Sequence, residues 1–216
     1  MRGYFITLEG GEGAGKSSNI PFMIDYLRSQ GIDALATREP GGTLVSEAIR
    51  GVLLDKNLPA MHPDTELLLM FAARQEHLAQ KILPALAEGQ WVVSDRFTDA
   101  TYAYQGYGRG QKLERIQQLE QWVQGDVRPD LTLLFDIEVE VGFQRVCDRY
   151  AGEAAQLDRF EQEHQSFFER IQAGYLARAQ QYPQQFRLVD ANQSLTVVQD
   201  QLKTHLDEFI SKAKLR

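Results

Sequence analysis

The sequence predicts an α/β fold of three layers, a five-stranded parallel sheet flanked by helices and carrying a small mobile lid. Three observations predict it. Five short β-like runs alternate with longer helical patterns, the order in which parallel strands are joined by crossover helices. The first run ends in a glycine-rich turn that opens directly into a helical pattern. No repeat, Gly/Ser- or Pro-rich linker or low-complexity tract divides the chain, so residues 1–216 read as one domain.

Taken in order, Tyr4–Glu9 is the first strand, an apolar run too short for a secretory core or a membrane span. After the glycine turn, Ile20, Met23, Ile24 and Leu27 recur at helical spacing and stop at Gly31. Ile32–Thr37 follows as a strand, then helices at Leu44–Leu54 and Thr65–Ala87, punctuated by Pro63 and Pro84. Gln90–Ser94 is the third strand and Leu113–Val123 a helix; Leu131–Ile137 is the fourth strand, entered through Pro129. Helices at Val141–Tyr150, Gln162–Tyr182 and Thr196–Lys212 frame the last strand, Phe186–Val189. The stretch Tyr150–Arg159 has no convincing apolar face and reads as a flap, which places the lid at about residues 147–160.

Composition narrows the function classes. With 43% hydrophobic and 25% charged residues the chain reads as an ordinary soluble globular protein. A formal charge of −7 and a pI near 5.2 argue against nucleic-acid binding, which needs a field of Lys and Arg. Cys147, the single cysteine, has no partner at metal-ligand spacing and reads as inert in a reducing compartment, with the cytoplasm the expected location. His62, His77, His164 and His205 show no ligand spacing either, and Lys203, Asp207, Glu208 and Lys212 read as a solvated helix face.

Gly10-Gly11-Glu12-Gly13-Ala14-Gly15-Lys16-Ser17, followed by Ser18, satisfies G-x-x-x-x-G-K-[ST] between a strand and a helix. The glycines let backbone N–H groups turn inward around a phosphate, and the helix adds the positive end of its dipole. Lys16 is expected to reach the β- and γ-phosphates of ATP and the Ser17 hydroxyl to ligate Mg²⁺. Glu12 is unusual in such a loop, since a carboxylate there adds repulsion near a triphosphate.

Asp95-Arg96 follows Trp91-Val92-Val93-Ser94 and so falls at the carboxyl edge of the sheet, where open α/β folds bind ligands. Asp95 is placed to hold Mg²⁺ through water, and Arg96 to fork onto a phosphate. Arg38 after the second strand, and Phe71 with Arg74 on one helical face, suggest a second substrate that is planar and anionic. The cluster Tyr102, Tyr104 and Tyr107 suits either packing or a pocket.

These segments together resemble a family. The phosphate loop, Thr37-Arg38-Glu39-Pro40-Gly41-Gly42-Thr43, Phe71-Ala72-Ala73-Arg74, Asp95-Arg96-Phe97, Tyr104-Gln105-Gly106, Gly108-Arg109-Gly110 and Arg128-Pro129-Asp130-Leu131-Thr132 closely resemble bacterial thymidylate kinases, in the same order and over essentially the whole chain. The resemblance implies a P-loop nucleoside monophosphate kinase that moves the γ-phosphate of ATP onto dTMP, on the way to dTTP, and that is usually a homodimer. It implies that Phe71 stacks on thymine, that Arg74 donates to a thymine carbonyl, and that Thr101 and Gln105 lie along the base edge. Tyr104 would lie against the deoxyribose, Glu9 near the sugar hydroxyl and the Mg²⁺, and Arg96, helped by Arg38, at the dTMP phosphate. Members without a basic residue in the variable part of the loop carry a catalytic arginine in the lid; Arg149 is the first candidate, with Arg145 and Arg159 as alternatives.

Other readings compete with this one. A nucleoside kinase would need a carboxylate base for a neutral hydroxyl, whereas Arg38, Arg74 and Arg96 favour an acceptor that already carries phosphate. A nucleotide-dependent switch of the GTPase type would need guanine-reading residues, and the sequence has no Asn-Lys-x-Asp run.

Overall fold

The computed structural model describes residues 2–149, 158–161 and 163–214. Five parallel strands, β1 (Phe5–Gly10), β2 (Ala34–Arg38), β3 (Trp91–Asp95), β4 (Leu131–Asp136) and β5 (Phe186–Asp190), form one sheet in the order β2-β3-β1-β4-β5. The register pairs Leu8 with Asp95 on one side of β1 and Leu8 with Leu133 on the other. β1 therefore lies in the middle, and every one of its residues is buried. The strand alternation splits its side chains between the layers. Ile6 and Leu8 pack with Met23, Leu27, Leu202 and Leu206 of α1 (Lys16–Ser29) and α9 (Leu195–Lys214), while Phe5 packs with Leu78, Ile82 and Phe97 on the other face.

The chain runs outward from β1 to β2, back to β3, and then across β1 to β4. That reversal opens a crevice at the carboxyl ends of β1 and β3, the place where α/β sheets bind ligands.

The helices are α2 (Leu44–Leu54), α3 (Pro63–His77), α4 (Leu83–Ala87), α5 (Thr98–Thr101), α6 (Leu113–Gln124), α7 (Val139–Arg149) and α8 (Gln165–Gln181), with α1 and α9. Thr43 caps α2 by accepting from Ser46 N–H, and Pro63 takes the first turn of α3, where its missing N–H costs nothing. Two features depart from the sequence reading. The expected helix Thr65–Ala87 widens to a π-helical stretch at Leu78–Ile82 before resuming as α4, so Pro84 sits in the first turn of a new segment. The segment after Phe97, assigned no element from sequence, forms α5 and a second π-helical stretch, Tyr102–Gly108, buried against α8. Gly106 and Gly108 lower its helix propensity, and packing overrides that preference. Of the expected lid, residues 150–157 lie outside the described residues.

Candidate active site

The crevice is built from three strand ends. After β1 the chain turns through Gly10 and Gly13, both at positive φ (138 and 71), and a Cβ on Gly13 would come within 2.1 Å of the Gly142 carbonyl in α7. The loop is thus seated backbone against backbone on α7. Lys16 Nζ, nearly buried, donates to the carbonyls of Gly10 (2.9 Å) and Gly11 (2.6 Å), which hold the ammonium over the mouth of the loop. Burial, and then Arg96, lower its pKa to about 8 against the opposing pull of Glu12, Asp95 and Glu9. Ser17 Oγ donates to Asp95 Oδ2 at 2.5 Å, so the hydroxyl and the carboxylate named from sequence meet across the crevice. Two hard oxygens beside a phosphate cradle suit Mg²⁺, which takes one or two protein oxygens and leaves the remainder to phosphates and water. No cluster of three His, Cys, Asp or Glu suited to a metal occurs among the described residues.

Arg96 has φ 71, left-handed backbone in a residue that is not glycine, a local cost of the kind that gathers at functional sites. Its guanidinium donates to Gly10 O (2.9 Å), Tyr175 Oη (3.0 Å) and Glu12 Oε1 (2.6 Å), and it lies 4.8 Å from the Tyr104 ring centroid. Tyr104 Oη donates to the same Glu12 oxygen at 2.9 Å. Burial raises the Glu12 pKa, but Arg96, Lys16 and the Tyr104 hydrogen bond outweigh it and bring the value to about 2. The carboxylate that looked repulsive in sequence is therefore the counter-charge that fixes Arg96.

Glu9 stands elsewhere. Fully buried, it accepts from Phe97 N–H (2.7 Å) and Tyr175 Oη (2.9 Å) and lines neither the phosphate cleft nor the neighbouring cavity. Burial and then Asp99 raise its pKa to about 8. The structure places this residue behind the cavity walls, joining β1 to the Arg96 turn and to α8.

Beside the cradle lies a cavity of about 260 Å³ whose wall includes Arg38, Arg50, Arg74, Arg96 and Arg149. Arg74 is 2% exposed; its Nε donates to Glu39 Oε2 (2.7 Å) and one Nη to Phe97 O and Thr101 Oγ1 (3.1 and 2.9 Å). His77 holds the other Glu39 oxygen at 3.0 Å and meets Thr37 Oγ1 at 2.6 Å. The second terminal nitrogen of Arg74, Nη1, is buried with no partner. Buried donors are nearly always satisfied, so this unmatched nitrogen is an exception inside the protein wall behind the cavity that Arg74 lines.

Thr101, Tyr104 and Gln105 line this cavity too, as expected. Phe71 does not: it is 2% exposed, packed among Leu67, Tyr102 and Ile116, and its ring lies under the Arg74 guanidinium at 4.9 Å. Met70, one residue earlier and four before Arg74, lines the wall instead. Arg38 is paired with Glu47 at 2.9 Å, whereas Arg50, unremarked in the sequence, donates to the Pro40 carbonyl. Its pKa is lowered by burial and then by Arg38.

The loop residues Glu12 to Ser18 line a second cleft with Arg145, Arg149 and Leu195. Among the three candidate arginines, Arg149 alone lines both this cleft and the first cavity. Arg145 donates to Ala191 O and lines the cleft only; Arg159 is bound to Glu66 (2.6 Å) and Leu53 O and lines neither. Arg149 itself donates to Glu161 at 2.9 Å. The arrangement offers a phosphate cradle, an adjoining arginine-lined cavity, and cations at their junction, the parts needed to move a phosphoryl group between two anions.

Comparison with known proteins agrees with this geometry. The family model described as "Thymidylate kinase" matches residues 8–202. The thymidylate kinase of Ectopseudomonas mendocina is 55% identical over 214 residues, 99% of this chain and all of that protein. That of Alkalilimnicola ehrlichii is 56% identical over 215 residues, spanning this whole chain and 95% of its own length.

Proposed function

The chain belongs to the thymidylate kinase family, and from that premise we propose that it transfers the γ-phosphate of ATP to dTMP, giving dTDP and ADP. The observation that carries the acceptor assignment is the cavity beside the phosphate cradle, walled by Arg38, Arg50, Arg74, Arg96 and Arg149 together with Thr101, Tyr104 and Gln105. The arginines suit the phosphate of dTMP, and Arg74, Thr101 and Gln105 the polar edge of its base.

In this reading the backbone of Gly10, Gly11, Glu12, Gly13, Ala14 and Gly15, with Lys16, Ser17 and Ser18, holds the ATP phosphates. Ser17 and Asp95 would hold Mg²⁺, which would supply positive charge against the phosphates of ATP. Arg96, already fixed by Glu12, takes the dTMP phosphate, with Arg50 and Arg38 beside it. Thr101 and Gln105 lie along the base edge and Tyr104 against the sugar, while Met70 supplies the face on which the base rests and Phe71 supports Arg74 from behind. The acceptor is a phosphate oxygen, so no strong general base is needed. Lys16, Arg96 and Arg149 stabilise the charge spread over the moving group, and lid closure keeps out water that would waste ATP.

The chain works as a single domain with its lid near residues 147–160, in the cytoplasm and as a homodimer. Trp122 is 82% exposed on α6, and Leu68 and Val52 are exposed on α3 and α2, apolar surface suited to a second copy. No described helix is long and apolar enough to cross a membrane.

The test is ADP production with Mg·ATP and dTMP, dUMP, UMP, CMP, dCMP, AMP or GMP in turn. Turnover with dTMP well above the others is expected; preference for another monophosphate would overturn the assignment.

A further inference from the structure

A buried carboxylate outside the groups assigned so far links the cavity to Arg159. Glu66 on α3 is 1% exposed. Its Oε1 accepts from Gln105 Nε2 at 2.8 Å and from Arg109 Nε at 3.4 Å, and its Oε2 accepts from Arg159 at 2.6 Å. A carboxylate flanked by two guanidinium groups only accepts hydrogen bonds, so the Gln105 amide must turn its NH₂ end toward it. The carbonyl end, Oε1, is then what Gln105 offers to the cavity that it lines. Arg74 lines the same cavity and brings the donors of its guanidinium to that side.

One acceptor and one donor match a ring imino N–H beside a ring carbonyl, the edge shared by thymine and uracil. Cytosine carries a bare ring nitrogen beside an amino group, and so presents the opposite polarity at both points.

We propose that Glu66 is a positioning residue that sets base selectivity by fixing the polarity of the Gln105 amide. The proposal rests on the dTMP reading above. An amide facing a neutral neighbour can turn either end to the cavity and serve either edge; an amide facing a carboxylate cannot. Each mismatched buried polar contact weakens binding by about tenfold or more.

The experiment compares kcat/KM for dTMP, dUMP and dCMP at saturating Mg·ATP in the wild type, Glu66→Gln and Arg159→Gln. Glu66→Gln is expected to lower the dTMP:dCMP ratio at least about tenfold, mainly through KM, and to leave dTMP:dUMP unchanged because those bases share the edge. Arg159→Gln breaks the same ion pair without touching the amide and should keep both ratios. An unchanged dTMP:dCMP ratio in Glu66→Gln, or an equal drop in Arg159→Gln, overturns the proposal.

Side-chain amide spectra of the wild type, assigned with Gln105→Met, test the lock without altering Glu66. One strongly shifted Nε2 proton is expected, and an amide pair at free-glutamine positions overturns the lock even if Glu66→Gln does not fold. A wild type that fails to prefer dTMP brings down the substrate reading first, and this proposal with it.

Discussion

Glu9→Gln isolates one buried proton. Glu9 is held by Phe97 N–H at 2.7 Å and Tyr175 Oη at 2.9 Å, and glutamine preserves that shape, with Oε1 accepting from the backbone and Nε2 donating to the phenol oxygen. Burial first, and Asp99 second, raise the folded pKa from 4.5 to about 8. Between those values the folded chain keeps a proton that the unfolded chain has released. The group's contribution to stability is therefore fully present below about pH 4.5, falls as pH rises, and is lost above about pH 8.

The slope in that window is about 1.4 kcal/mol per pH unit. The whole span corresponds to roughly 5 kcal/mol, of which about 2 kcal/mol falls between about pH 6 and about pH 8. Urea unfolding of the wild type and Glu9→Gln at those two pH values measures it. The wild type should lose about 2 kcal/mol relative to the variant on going to the higher pH, and the Mg²⁺ dependence of activity should be the same in both. Parallel pH profiles would refute the raised pKa, and a weakened Mg²⁺ response in the variant would refute the placement of Glu9 behind the site.

Two further outcomes follow from geometry already described. Gly13→Ala would put a Cβ 2.1 Å from the Gly142 carbonyl and must unseat the loop, whereas Gly31→Ala, at φ 75 with nothing within 4 Å, meets only backbone strain. Calorimetry and steady-state kinetics should show kcat/KM for ATP falling about 100-fold or more in the first and the second losing only about 1 kcal/mol of stability; normal ATP kinetics in Gly13→Ala would contradict the seating. Arg149→Ala should lower kcat about 1,000-fold while dTMP affinity measured by titration changes little, and equal losses in both would remove Arg149 from the transition state.

The parts of the site that sequence makes legible are those carried by a single strand-to-loop junction. The cradle from Gly10 to Ser17, and Asp95-Arg96 at the end of β3, need only a strand, a turn and a fixed spacing, and the sheet order brings them together. Less legible is anything decided by how a helix is rotated about its axis. Phe71 and Met70 are neighbours in sequence, yet they point about 100° apart around α3, and the packing of Phe71 with Tyr102 and Ile116 turns Met70 to the cavity. Charge partnership over long separations is hidden as well. Glu12 reads as a misplaced charge until Arg96, 84 residues away, is seen at 2.6 Å. The π-helical stretch Tyr102–Gly108 escapes because its glycines weaken the helical signal, and only contact with α8 restores it.

The web around Arg96 bears on when order is imposed. A free arginine side chain carries about 2 kcal/mol of rotamer entropy, and a guanidinium waiting in solvent would give that up at each encounter with substrate. Here Gly10, Glu12 and Tyr175 have already immobilised it during folding. An arriving phosphate thus meets a group whose freedom was surrendered once, when the chain folded, and not once per encounter.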